Sequence, residues 1–264
     1  MKKWIALLMA MTMMFCVMAC GSKATQTDLE YVKEKGTLIV GITDFAPMDY
    51  KDENGNWVGF DAELATAFAE SIGVEVKFEE IEWGNKILEV QGKNIDCVWN
   101  GMTLSPEVKQ GMDCSNSYCN NVQVVIVPAS EADKYQTIED LSGLKFAVES
   151  GSAGEAEALK KQFDVEAFVE NQASALMEVK AGTSDAAIID YLMASAMVGE
   201  GTSYEDLAYT VVLNQEEGEE YGVGFRKGSN LVEELNKFLK DAYKDGSMLK
   251  IAEKYNIKDR VIAQ

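Results

Sequence analysis

Twice along this chain, a short β-rich apolar run gives way to a segment of helical period and then to another β-rich run. The first block opens with Thr37-Leu38-Ile39-Val40-Gly41 and a turn at Asp52-Glu53-Asn54-Gly55-Asn56. A helix is predicted over 61–72, with Leu64, Ala65, Phe68, Ala69 and Ile72 on one face and Gly73 as its stop. A strand over 74–78, a short helix over 85–91 ending at Gly92 and a strand over 95–99 complete it. The second block repeats the grammar: strand 145–148, helix 152–162, strand 165–169, helix 173–180, strand 186–190. Between the blocks, residues 122–127 form an extended apolar run that closes on Pro128. A strand over 221–225 and helices over 230–244 and 248–255 follow. Strands that alternate with helices in this way specify an α/β fold with mainly parallel strands.

Composition then excludes several chemistries. The chain has no histidine, which removes Ser-His-Asp and Cys-His nucleophile arrangements and, with no close cysteine pair, argues against a zinc site. No GxxxxGK[ST] phosphate loop is present, and no cofactor is called for. These absences tilt the expectation from enzyme toward binding protein. A net charge of −20 over 264 residues makes nucleic acid a poor partner.

The N-terminus gives an address. Lys2 and Lys3 precede an apolar run from Trp4 to Ala19, ordered as in a secretory signal peptide over 1–19 and shorter than the roughly 20 residues of a membrane span. Cys97 reads as a small buried hydrophobe, whereas Cys114 and Cys119 are spaced so that a disulfide could close a small loop. The residues Val17-Met18-Ala19-Cys20 resemble the lipobox of bacterial lipoproteins. That resemblance implies acylation of Cys20, with a palmitate-type chain, and a tether over 20–28 holding an extracytoplasmic protein at the membrane.

Six further stretches, taken in order, resemble the bacterial extracellular solute-binding proteins of family 3, the amino-acid receptors of ABC importers. They are Gly36–Gly41, Gly55–Leu64 (GNWVGFDAEL), Asn100–Glu107 (NGMTLSPE), Asp140–Lys145 (DLSGLK), Ser184–Asp190 (SDAAIID) and Tyr221–Gly228 (YGVGFRKG). The resemblance implies a two-lobed periplasmic-binding-protein fold of type II with two crossing hinge strands. Lobe one would span 29–124 plus 215–264 and lobe two 129–212, with the hinge at 125–128 and 213–214. It implies a monomer that closes on a small ligand, an amino acid or related amine, and presents it to an ABC permease.

The same resemblance places the ligand's ammonium on Asp190 and aromatic walls at Phe45 and Trp57. It puts Asn100, Gly101, Met102 and Thr103 in the loop after a strand end, and Ser152 at a helix start that suits a carboxylate oxygen. The family's carboxylate anchor is an arginine, and that position is Val108. The whole chain has two arginines, Arg226 and Arg260, neither near position 108. An inward-turning Lys109, or helix N-termini at Ser105-Pro106 and Gly151-Ser152, would be the replacements. Asp44 and Glu149, at strand ends, would join Asp190 in a negative cleft suited to a cationic ligand. Two other readings attach to this scaffold: a dehydratase of the cyclohexadienyl type, with Glu149 as general acid, and a ligand-sensing module of a receptor.

Overall fold

The computed structural model describes residues 26–264, so the apolar N-terminal run and Cys20 lie outside the described residues. Helix α1 (Asp28–Lys35) begins with a capping box, in which the Thr27 hydroxyl accepts the Glu30 N–H and the Glu30 carboxylate accepts the Thr27 N–H. The chain continues through β1 (Thr37–Ile42), the hairpin of β2 (Tyr50–Lys51) and β3 (Trp57–Val58), α2 (Phe60–Ser71) and β4 (Glu75–Glu80). A 3-10 turn at Trp83–Asn85 leads into α3 (Lys86–Gln91), followed by β5 (Cys97–Val98), α4 (Pro106–Gly111) and β6 (Asp113–Cys114). Strand β7 (Cys119–Asn121) carries the chain across to a second lobe. There it forms β8 (Gln123–Pro128), β9 (Lys145–Glu149), α5 (Ala153–Lys160), β10 (Asp164–Val169), α6 (Gln172–Ala181), β11 (Ala186–Asp190), α7 (Tyr191–Met197) and β12 (Leu207–Val212). Strand β13 (Glu219–Tyr221) returns it to β14 (Gly224–Phe225), α8 (Leu231–Asp245) and α9 (Ser247–Lys254).

Each lobe is built on a five-stranded sheet, ordered β4-β1-β5-β14-β6 in lobe one and β10-β9-β11-β8-β12 in lobe two. In each, the first three strands run parallel and the last two antiparallel to their neighbours. Parallel strands covered on both faces bury every residue, and β11 does so. Its Ala186 and Ile188 join one apolar cluster with Phe146 and Val148, while Ala187 and Ile189 join the other with Ala147 and Leu176. That is the two-residue period of a strand packed on both sides.

Between the sheets, β7 and β13 pair antiparallel, Glu219 opposite Asn121 and Tyr221 opposite Cys119. This ribbon carries the chain between the lobes. Residues 125–128 lie within β8, in the interior of the lobe-two sheet, and Leu213 and Asn214 continue beside its start through bonds to Gln123. The ribbon therefore sits a few residues outside both segments expected as the hinge. The strand expected over 221–225 is two strands, because Tyr221 belongs to the ribbon and Gly224 to the sheet. Cys97, Cys114 and Cys119 are all free thiols, so the disulfide considered for the last two is not formed. Cys114 sits on β6 in the lobe-one sheet and Cys119 on β7 in the ribbon, in different sheets. Among the described residues no helix is long and apolar enough to cross a membrane.

Candidate ligand-binding cleft

A cavity of about 340 Å³ lies between the lobes. Its walls come from the segments that follow β1, β4 and β5 in lobe one and β9 and β10 in lobe two, with Asp190 at the end of β11. These are the carboxyl ends of the parallel strands, where open α/β sheets leave room for ligands.

Of the residues expected at the site, Phe45, Asn100, Gly101, Met102, Thr103, Val108, Glu149, Ser152 and Asp190 all line this cavity. Their jobs differ. Asn100 is a buttress: its side chain accepts from the Thr43 N–H and hydroxyl and donates to Thr43 O and Asp49. Gly101 donates its N–H to Asp61 and has φ +53°, and a Cβ there would lie 2.3 Å from the Phe45 ring. That contact requires glycine. Phe45 in turn stands edge-on to Tyr221, with ring centroids 6.4 Å apart. Thr103 donates to Glu219 at 3.2 Å. Met102 and Val108 form an apolar wall.

Asp190 is the most heavily bonded of the lining groups. One oxygen accepts from Asn121, from Gln123 at 3.0 Å and from the Tyr221 hydroxyl at 2.6 Å, and the other accepts from Gln172. Gln172 also accepts the Asp190 N–H at 2.8 Å, so the pair lock each other. The oxygen bonded only to Gln172 retains acceptor capacity toward the cavity. Although Asp190 occupies the N-cap of α7, its side chain makes no capping bond. Burial and the neighbouring Glu219 push its carboxyl up to about 7. Glu149, at the end of β9, is buried as deeply, and one of its oxygens has no hydrogen-bond partner. Burial, then the charge of Asp190, push it up to about 8.

Three sequence expectations are corrected. Asp44 is exposed and does not line the cavity; it feels the charges of Glu80 and Lys51. Trp57 sits in the β2–β3 hairpin, its ring 4.7 Å from the Lys51 ammonium and away from the cavity. Lys109 does not turn inward; it is exposed on α4, where its carbonyl accepts from Lys227. Arg226 is bonded to Asp28 and the Ile95 carbonyl, and Arg260 lies over Tyr191, so neither arginine reaches the cleft.

Trp83, Lys86 and Gln172 line the cavity and were missed by sequence reasoning. Trp83 supplies the aromatic wall expected of Trp57. Lys86 is the one cation among the cavity's lining residues, its ammonium 4.8 Å from the Trp83 ring. It donates to Trp83 O at 3.2 Å and, across the cleft, to Gly151 O at 2.9 Å. The available signal was local: Lys86 is the first residue of α3, where the positive end of the helix dipole disfavours a cation.

The chain matches the family model for bacterial extracellular solute-binding proteins, family 3, over residues 38–258. It is 33% identical over 261 residues to the arginine-binding extracellular protein ArtP of Bacillus subtilis (strain 168), covering 97% of this chain and 98% of that one. Among solved structures, an ancestral arginine-binding protein bound to arginine superposes with a TM-score of 0.73 at 35% identity, covering 83% of this chain and 98% of the other. The ancestral amino acid-binding protein AncCDT-1, a precursor of cyclohexadienyl dehydratase, gives a TM-score of 0.77 at 34% identity, covering 86% and 98%.

Proposed function

The chain belongs to the bacterial extracellular solute-binding proteins of family 3, the amino-acid-binding receptors of ABC importers, and from that premise we propose that its ligand is a cationic amino acid held by closure of the two lobes. The observation that carries this reading is the pair of buried acids in one cleft: Asp190 with residual acceptor capacity, and Glu149 with an oxygen that has no partner. A buried acceptor without a donor costs about 1–3 kcal/mol, which a ligand cation would recover. Asp190 takes the α-ammonium and Glu149 the side-chain cation. Arginine in the names of two similar proteins agrees with this choice. Isothermal titration should give tight binding of L-arginine or L-lysine and weak binding of L-glutamate, L-glutamine and L-leucine. Tight binding confined to the neutral or acidic ligands would overturn it.

Closure delivers the loaded protein to a permease, and acylation at Cys20 would keep it at the membrane, raising its effective concentration there. Replacing Cys20→Ser should move the protein from the membrane fraction to the soluble one; retention in the membrane would count against the anchor. A dehydratase reading draws on AncCDT-1 and on Glu149, whose raised carboxyl is protonated at neutral pH and could donate. A dicarboxylate substrate, however, would need at least two cations, and one lines the cleft. The binding reading is therefore preferred.

A further inference from the structure

Lys86 is a buried cation without a counter-ion. Its side chain is almost fully covered, yet none of the ion pairs among the described residues includes it. An ammonium has three protons, and two are committed to the carbonyls of Trp83 and Gly151. The third is left for the cavity that Lys86 lines. An unpaired charge in such a place is strongly unfavourable unless something anionic joins it. Glu149 is the first acid to act on it, but stands beyond ion-pair distance. Ala153 lines the same cavity; as the first residue of α5 it has no intrahelical acceptor for its N–H. Val108 presents only an apolar surface to the cleft, and Lys109 and both arginines are turned elsewhere.

Resting on the reading of the cleft as an amino-acid site, we infer that Lys86 is the carboxylate anchor of this protein, assisted by the Ala153 N–H. The anchor has moved from α4 to the first turn of α3. It reads the ligand from lobe one while bonding to lobe two through Gly151, so carboxylate recognition and lobe contact share one side chain. A ligand lacking a free carboxylate leaves the Lys86 charge unanswered.

The test compares L-arginine with L-argininamide, which differs in having a neutral amide for the carboxylate. By titration calorimetry the wild-type protein should prefer the acid by roughly 30-fold or more, the scale of a buried charge pair. Lys86→Met should bring the two affinities within about threefold, by weakening the acid and sparing the amide. Lys86→Arg, or Val108→Arg added to Lys86→Met, should restore the preference. If Lys86→Met weakens both ligands equally, Lys86 is only a strut between the lobes and the inference falls. It also falls if the wild type does not distinguish acid from amide, a measurement that needs no variant to fold. Wild type that binds neither ligand overturns the functional reading, and the anchor with it.

Discussion

Glu149 and Asp190 hold protons that ordinary carboxyls would have lost. Burial is the main cause for both, raising them to about 8 and about 7, and Asp61 behind the Gly101 loop is raised by burial to about 7 as well. Because the folded pKa lies above the unfolded one, these groups contribute stability that is complete below the ordinary carboxyl range. That contribution is lost as pH rises through 7 and 8. The unliganded protein should therefore melt at a lower temperature at pH 8 than at pH 6 by scanning calorimetry. A ligand cation reverses the preference of the two cleft acids, so binding must release protons near pH 7. Affinity for L-arginine should rise between pH 6 and pH 8, by at most about tenfold per pH unit for each proton released. Titrations in two buffers of different ionisation enthalpy would count those protons. Affinity that is flat or falling over this range would mean that neither acid meets the ligand's charge.

At the level of elements, the regular parts were legible because their periods are strong. The helix over 61–72 is observed at Phe60–Ser71, and the strand over 145–148 at Lys145–Glu149. The ribbon was not legible. Cys119-Asn120-Asn121 and Glu219-Glu220-Tyr221 have no apolar alternation, and Asn and Glu are poor strand formers. They are strands because tertiary bonds fix them: Glu219 accepts from Asn121 at 3.1 Å and from Gln123 at 3.0 Å. Helix α7 was missed for a related reason, since its N-cap residue Asp190 spends its carboxylate on the cleft instead of on a capping bond. Of the expected residues that line the cavity, Asn100, Gly101, Met102, Thr103 and Asp190 lie in the family-like stretches, whereas Phe45, Val108, Glu149 and Ser152 lie outside them, at strand ends and helix starts. Trp57 and Asp44 lie off the cavity because Trp57 belongs to a short hairpin, where it packs beside Lys51, and Asp44 to an exposed bend, placements that spacing does not record. Lys86 broke a local rule, a cation at a helix start, and such breaks concentrate at functional sites.

For the whole molecule, what matters is that the two lobes touch beside the cleft through glycines. Gly151 has φ +73°, and a Cβ on it would lie 2.6 Å from the Cα of Gly84 in the other lobe. No real Cβ accepts that approach, and the atom it meets is backbone, so the lobes themselves would have to part. A Cβ on Gly84 would meet nothing closer than 3.7 Å, an ordinary contact with Ser150 O. This asymmetry separates closure from simple crowding. Gly151→Ala should weaken L-arginine binding at least about tenfold, or roughly 1.4 kcal/mol. It should also leave the radius of gyration of the ligand-saturated protein larger than that of wild type in solution scattering. Gly84→Ala should change neither appreciably. The positive φ at Gly151 makes alanine strained there by about 1–2 kcal/mol in either state of the lobes, so a lower melting temperature alone would decide nothing. A Gly151→Ala protein that binds L-arginine as tightly as wild type and compacts as fully would mean that this seam does not form part of the closed, ligand-bound state.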